Sequence, residues 1–167
     1  MIAPPVVLVD LFKPWNHLYS SNKLVVTLVT FLHTGGLLLA GGFAIAADRT
    51  TLRALARPAA ERAHAMRELA AVHRWVITGL TVIVISGLLQ LTSDIETFWG
   101  SWIFWTKMGL VACLLANGYG MTKLEKDLER DASETAPAWR ALHRVSIASL
   151  VLWFTTAFAG IALENLA

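Results

Sequence analysis

A chain of 167 residues that is 56% hydrophobic and only 16% charged does not read as a small soluble domain. A globule of that size exposes a large surface and needs more charge to cover it. The net charge of +2 gives nucleic-acid binding no support, and the single cysteine, Cys113, lies inside an apolar block, which excludes an intrachain disulfide.

Residues 1–22 open with MIAPPVVLVDLFKPWNH, which lacks the basic start of a secretory leader and carries a Pro-Pro pair. This stretch is expected to be an ordered segment on the outer membrane surface. The remainder, 23–167, is expected to form one transmembrane domain. Four apolar runs, about 23–47, 70–91, 101–121 and 141–163, are long enough to cross ~30 Å of hydrocarbon at ~1.5 Å per residue. Lipid leaves backbone groups no outside partner, so each run is expected to be a helix.

The connections give direction. The first carries Arg49, Arg53, Arg57, Arg62 and Arg67, and the third carries Lys123, Lys126, Arg130 and Arg140. The second, TSDIETFWGS, has Asp94 and Glu96 and no basic residue. The positive-inside rule makes the two basic connections cytoplasmic. Trp15, Trp99 and Trp102 gather on the opposite side as an interfacial belt. The expected setting is a bacterial inner membrane with both termini periplasmic. Pro58 and Pro137 suit first helical turns, and the charge spacing in TKLEKDLERD suggests that the third helix continues past the membrane.

A shift of 74 residues places His33 over Lys107 and Gly35 over Gly109, and a shift of 70 places AVHRW over ALHRV. The rare polar residues coincide, which suggests one helical hairpin used twice. The expected fold is therefore all-α, a transmembrane four-helix up-down-up-down bundle built from two repeated hairpins.

Spans two and four run in the same direction in such a bundle, so His73 and His143 share a depth near the cytoplasmic face. As diagonal partners their helices would stand roughly 11–14 Å apart. An iron held between two imidazoles fills that gap, and Arg74 and Arg144 at the rim could pair with haem propionates. The plainer alternative is that each His-Arg pair anchors a helix end in the headgroups. His33 and Lys107 form the other diagonal pair, nearer the outer face. A cation at that depth costs several kcal/mol, about 2.5–3.5 on insertion scales, and should face a partner or water. Gly36, Ala40 and Ala44 beside His33 would leave room for a flat ring, although glycine pairs such as Gly35-Gly36 and Gly41-Gly42 more often mean close helix packing. That outer site could hold a second haem, a porphyrin, a quinone headgroup or a metal, with His17 as a further candidate. His64, among arginines, is expected to be solvated. The four runs contain no carboxylate, which argues against a carboxylate proton relay or sodium coupling. No soluble-enzyme motif is present.

HTGGLLLAGGF in the first span and WTKMGLVACLLANGYG in the third resemble the His-then-Gly and aromatic-Lys helices of CopD-type copper-resistance domains and HemJ-type protoporphyrinogen oxidases. GLTVIVISGLLQL in the second is also similar, and the resemblance spans about 30–160. It implies a four-helix membrane fold in which His33 and Lys107 are functional, with haem b and porphyrinogen oxidation on one branch and copper handling on the other. AVHRW and ALHRV fall outside the HemJ pattern and are similar in placement to a cytochrome b561-like dihaem carrier. The favoured expectation is a b-type haem protein with one or two haems, metal ligands His73, His143 and His33, and transmembrane or quinone-linked electron transfer to a redox partner. The alternatives are a HemJ- or CopD-like protein centred on His33 and Lys107, with copper as the other cofactor, and a cofactor-free accessory subunit of a larger membrane complex.

Overall fold

The computed structural model describes residues 4–54, 59–130 and 136–166; the side chains of 59–71, 129–130 and 136 lie outside that description. The expectations for Arg57, Pro58, Arg62, His64, Arg67 and Arg130 therefore lie outside the described residues or side chains. Among the described residues there are six helices and no strand. They are α1 (Val6–Ser21), α2 (Lys23–Ala54), α3 (Ala59–Ser93), α4 (Ile95–Gly100), α5 (Trp102–Arg130) and α6 (Ala136–Leu166).

Three helices are long and apolar enough to cross a membrane, at Lys23–Ala54, Val72–Ser93 and Pro137–Leu166. They mark the chain as a membrane protein. Their large apolar side chains face outward: Leu24, Phe31, Leu38, Ile77, Phe154 and Phe158 are all exposed, as lipid-facing residues would be. Four spans were expected, and α5 is the one that falls short on composition. Its 29 residues give it the length, but Thr106, Lys107, Asn117 and the charged stretch from Lys123 dilute its hydropathy.

The long helices pack as antiparallel neighbours. α2 meets α3 through Gly36 against Gly79 and Ile83, and through Ala40 against Gly79. A Cβ on Gly79 would stand 2.7 Å from the Ala40 nitrogen, so the two backbones touch where lipid offers no hydrophobic drive and close packing must hold helices together. α2 meets α6 through Gly41 against the Trp153 ring, at 3.4 Å for a Cβ placed there. α5 meets α6 at the other end of the array, with the Asn117 amide donating to the Val145 carbonyl at 3.1 Å. α3 and α5 scarcely meet, and a gap is left between them.

Three apolar layers fill the interior from the tryptophan-rich end to the basic end. They centre on Ile103, Phe104 and Leu163, then Ala40, Leu114 and Trp153, then Ala47, Met121, Trp139 and Leu142. α1 buries no residue and lies against the far end of α3. There the Trp15 indole donates to the Leu89 carbonyl at 2.9 Å and the Asn16 amide to the Ser93 carbonyl, so α1 satisfies acceptors that a helix end leaves open. Asp94 caps α4 by accepting from the Thr97 amide.

The small-residue stripe beside His33 is not a slot for a flat ring. Gly36 and Ala40 are buried against α3, and only Ala44 reaches a cavity. The packing reading of the glycines holds for Gly36 and Gly41, whereas Gly35 and Gly42 have nothing within 4 Å of an added Cβ.

Candidate functional site: a cleft between α3 and α5

The gap between α3 and α5 is a cavity of about 500 Å³, near the basic end of the array. Its walls are apolar: Val76, Ile77 and Leu80 from α3, Leu114 and Leu115 from α5, and Trp153 from α6. Ile77, Leu115 and Tyr119 stand exposed on its outer lips, so it opens sideways, where acyl chains would be. Concave, mostly apolar sites with a few converging polar groups are where small molecules bind.

The polar end of the cleft is built by His73, Glu125, Asp48, Thr122, Lys126 and Ser149. His73 Nε2 lies 3.2 Å from the Glu125 carboxylate, and Glu125 is only 7% exposed. This contact bridges α3 and the extension of α5, two elements that otherwise hardly touch. A buried carboxylate is tolerated when a charged or hydrogen-bonded partner meets it, and His73 supplies one while keeping an edge on the cavity. The continuation of α5 beyond the apolar run, expected from its charge spacing, is what carries Glu125 to this position.

Asp48 is on the opposite wall, on α2, and is 1% exposed. The four apolar runs hold no carboxylate, but two carboxylates just beyond them are buried. Asp48 sits one residue past the apolar run and Glu125 four past the end of another, yet both turn inward, because α2 and α5 continue as helices and their buried faces continue with them. Ser146 and Ser149 of α6 face Asp48. Sequence reasoning missed all four. The usable signal was the α2 face of Gly41, Ala44, Asp48 and Thr51 at helical spacing, which runs past the nominal membrane edge.

The sequence-derived haem ligands do not converge. His73 lines the cleft, whereas His143 is exposed on α6 and is not among the cavity's lining residues. The buried stripe of α6 runs through Trp139, Leu142, Ser146, Ser149 and Trp153, and His143, one residue past Leu142, is turned about 100° away from it. Arg74 stacks on the neighbouring Trp75, its guanidinium carbon 5.5 Å from the ring centroid, and Arg144 is exposed. A bis-imidazole iron requires two rings aimed at one point. This donor set, one imidazole already engaged by a carboxylate, does not fit it. Among the described residues there is no group of three or more His, Cys, Asp or Glu side chains able to hold a metal ion.

The second diagonal pair is seated on two glycines. His33 and Lys107 are both half-buried and lie within electrostatic reach of each other. His33 Nδ1 is 3.1 Å from the Ser86 hydroxyl, and its ring covers Gly87. Lys107 covers Gly160, where an added Cβ would meet its Nζ at 3.5 Å. Each hairpin thus seats a polar side chain of its first helix over a glycine of its second. His17 is exposed on α1 and takes no part in this contact.

No protein-family model, curated protein or solved structure matches this chain.

Proposed function

We propose that this chain is a four-helix up-down-up-down protein of the inner membrane, with its basic ends cytoplasmic, that takes part in quinone-linked electron transfer. One observation carries the reading: an apolar cleft of about 500 Å³, open sideways between α3 and α5, ends in a His73–Glu125 pair at 3.2 Å. A quinone is a flat ring with two carbonyls on an apolar tail. Its ring suits the cleft walls, and its tail can remain in the lipid beyond Ile77 and Tyr119. The imidazole of His73 is the hydrogen-bonding group for a quinone carbonyl. Glu125 orients that ring and can exchange its proton with the aqueous basic end, as a carboxylate–histidine pair does in acid–base work.

The test uses the full chain purified in mild detergent. Quinone is expected to co-purify and to be recovered by solvent extraction, and a short-chain quinone added back is expected to quench, saturably, the part of the tryptophan fluorescence that is lost in Trp153→Phe. Unchanged fluorescence, or equal quenching in His73→Leu, would overturn the reading. Sharpened α and β bands on dithionite reduction would indicate haem instead.

A second reading is favoured by the seating of His33 on Gly87 and of Lys107 on Gly160. It is a HemJ-like or CopD-like activity at the outer site, on a porphyrin or copper. Its mark would be bound porphyrin or copper that is lost in His33→Ala and retained in His73→Ala.

A further inference from the structure

Most hydroxyls on the outer faces of these helices are quenched by their own backbone. Thr27, Thr50, Thr78, Thr81, Thr106 and Thr155 each donate to the carbonyl four residues earlier, at 2.8–3.0 Å. This back-bonding is the ordinary fate of a hydroxyl in a helix facing lipid. Around Asp48 the pattern stops. Thr51 and Ser146 are both 0% exposed, and among the described residues their hydroxyls meet no hydrogen-bond partner. Both carboxylate oxygens of Asp48 are in the same condition. Ser146 and Ser149 face the carboxylate from α6 without reaching hydrogen-bonding geometry.

An ionised carboxylate buried without a partner is costly, so Asp48 is balanced either by a proton or by a cation. Among the described residues, Arg49 and Arg53 are exposed on α2 and no donor reaches Asp48. The described polar groups around it are oxygens, one carboxylate and the hydroxyls of Thr51, Ser146 and Ser149, and with the carboxyl ionised they carry a single negative charge. Oxygen donors select hard cations, and soft metals prefer nitrogen and sulfur. One negative charge balances one positive charge. The cavity reaches Asp48 and Ser149, which gives an ion a route in from the basic end.

We infer that Asp48, Thr51, Ser146 and Ser149 form a binding site for a monovalent alkali cation, Na⁺ in preference to K⁺, at the α2–α6 interface. The small ion suits a site squeezed between two helices that approach as closely as Gly41 and Trp153 allow. Because the site ties α2, from the first hairpin, to α6, from the second, an ion there holds the two halves together. The inference is independent of the quinone reading.

The test is thermal unfolding of the full-length protein in detergent, in NaCl, KCl or choline chloride at equal ionic strength. NaCl is expected to raise the midpoint saturably above the other two salts. Asp48→Asn, which keeps the shape and removes the charge, is expected to abolish the difference between salts. The Ser146→Ala/Ser149→Ala pair retains the carboxylate and is expected to weaken the apparent Na⁺ affinity about tenfold or more. Should Asp48→Asn fail to fold, this pair supplies the reading. Equal midpoints in all three salts, a sodium effect that survives Asp48→Asn, or an unchanged affinity in the serine pair would each overturn the inference. So would a protonated carboxyl band in the infrared spectrum in saturating NaCl that disappears in Asp48→Asn.

Discussion

His33 Nδ1 stands 3.1 Å from the Ser86 hydroxyl while Ser86 itself donates to the Val82 carbonyl at 2.6 Å. With its proton directed to its own helix, Ser86 has a lone pair to offer to a hydrogen on His33 Nδ1. A Cβ at Gly87 would come within 3.2 Å of the ring's Cε1, so the seat is closely shaped. Ser86→Ala is expected to release the ring and broaden its NMR resonances. Ser86→Thr, which retains the hydroxyl, should not.

The closest helix contact should be the least forgiving. Gly79→Ala drives a methyl into the Ala40 backbone at 2.7–3.0 Å, and backbone cannot move aside as a flexible side chain does. A loss of about 1–3 kcal/mol is expected, read as a lowered unfolding midpoint in detergent. Gly42→Ala meets nothing within 4 Å and should be neutral, or stabilising by up to about 1 kcal/mol through helix propensity.

The His73–Glu125 contact should appear as coupling. In a double-mutant cycle of His73→Phe and Glu125→Gln, the paired variant is expected to be more stable than the sum of the single changes implies, by about 0.5–3 kcal/mol. Removing one partner alone leaves a polar group less satisfied in a low-dielectric site. Additive losses would show that the two side chains act independently.

His143 should matter little to ligand retention. His143→Ala is expected to keep any quinone that the wild-type protein carries, because the ring is exposed outside the cleft, whereas His73→Ala should lose it. Quantifying extracted quinone per mole of protein checks both.

The orientation can be read with thiol labels. Cys113 is the only cysteine and is exposed, so Cys113→Ala gives a silent background. A cysteine replacing Lys126 is expected to react with impermeant reagents only from the cytoplasmic side, and one replacing Glu96 only from the periplasmic side.

The sequence by itself determined that the four apolar runs are helical. Bilayer thickness fixes the length of an apolar run, and missing water forces its backbone into a helix. Lys23 as the start of α2 and the inward run of α5 past Lys123 were legible in this way. Azimuth was not legible. In a soluble helix the polar face marks the outside, but a lipid-facing surface is as apolar as the interior, so periodicity gives no bearing around the axis. Only tertiary packing set it. Gly79 against Ala40 and Trp153 over Gly41 fix the rotation of α2, α3 and α6, and that rotation turns His73 toward Glu125, leaves His143 outside, and seals Asp48 among hydroxyls.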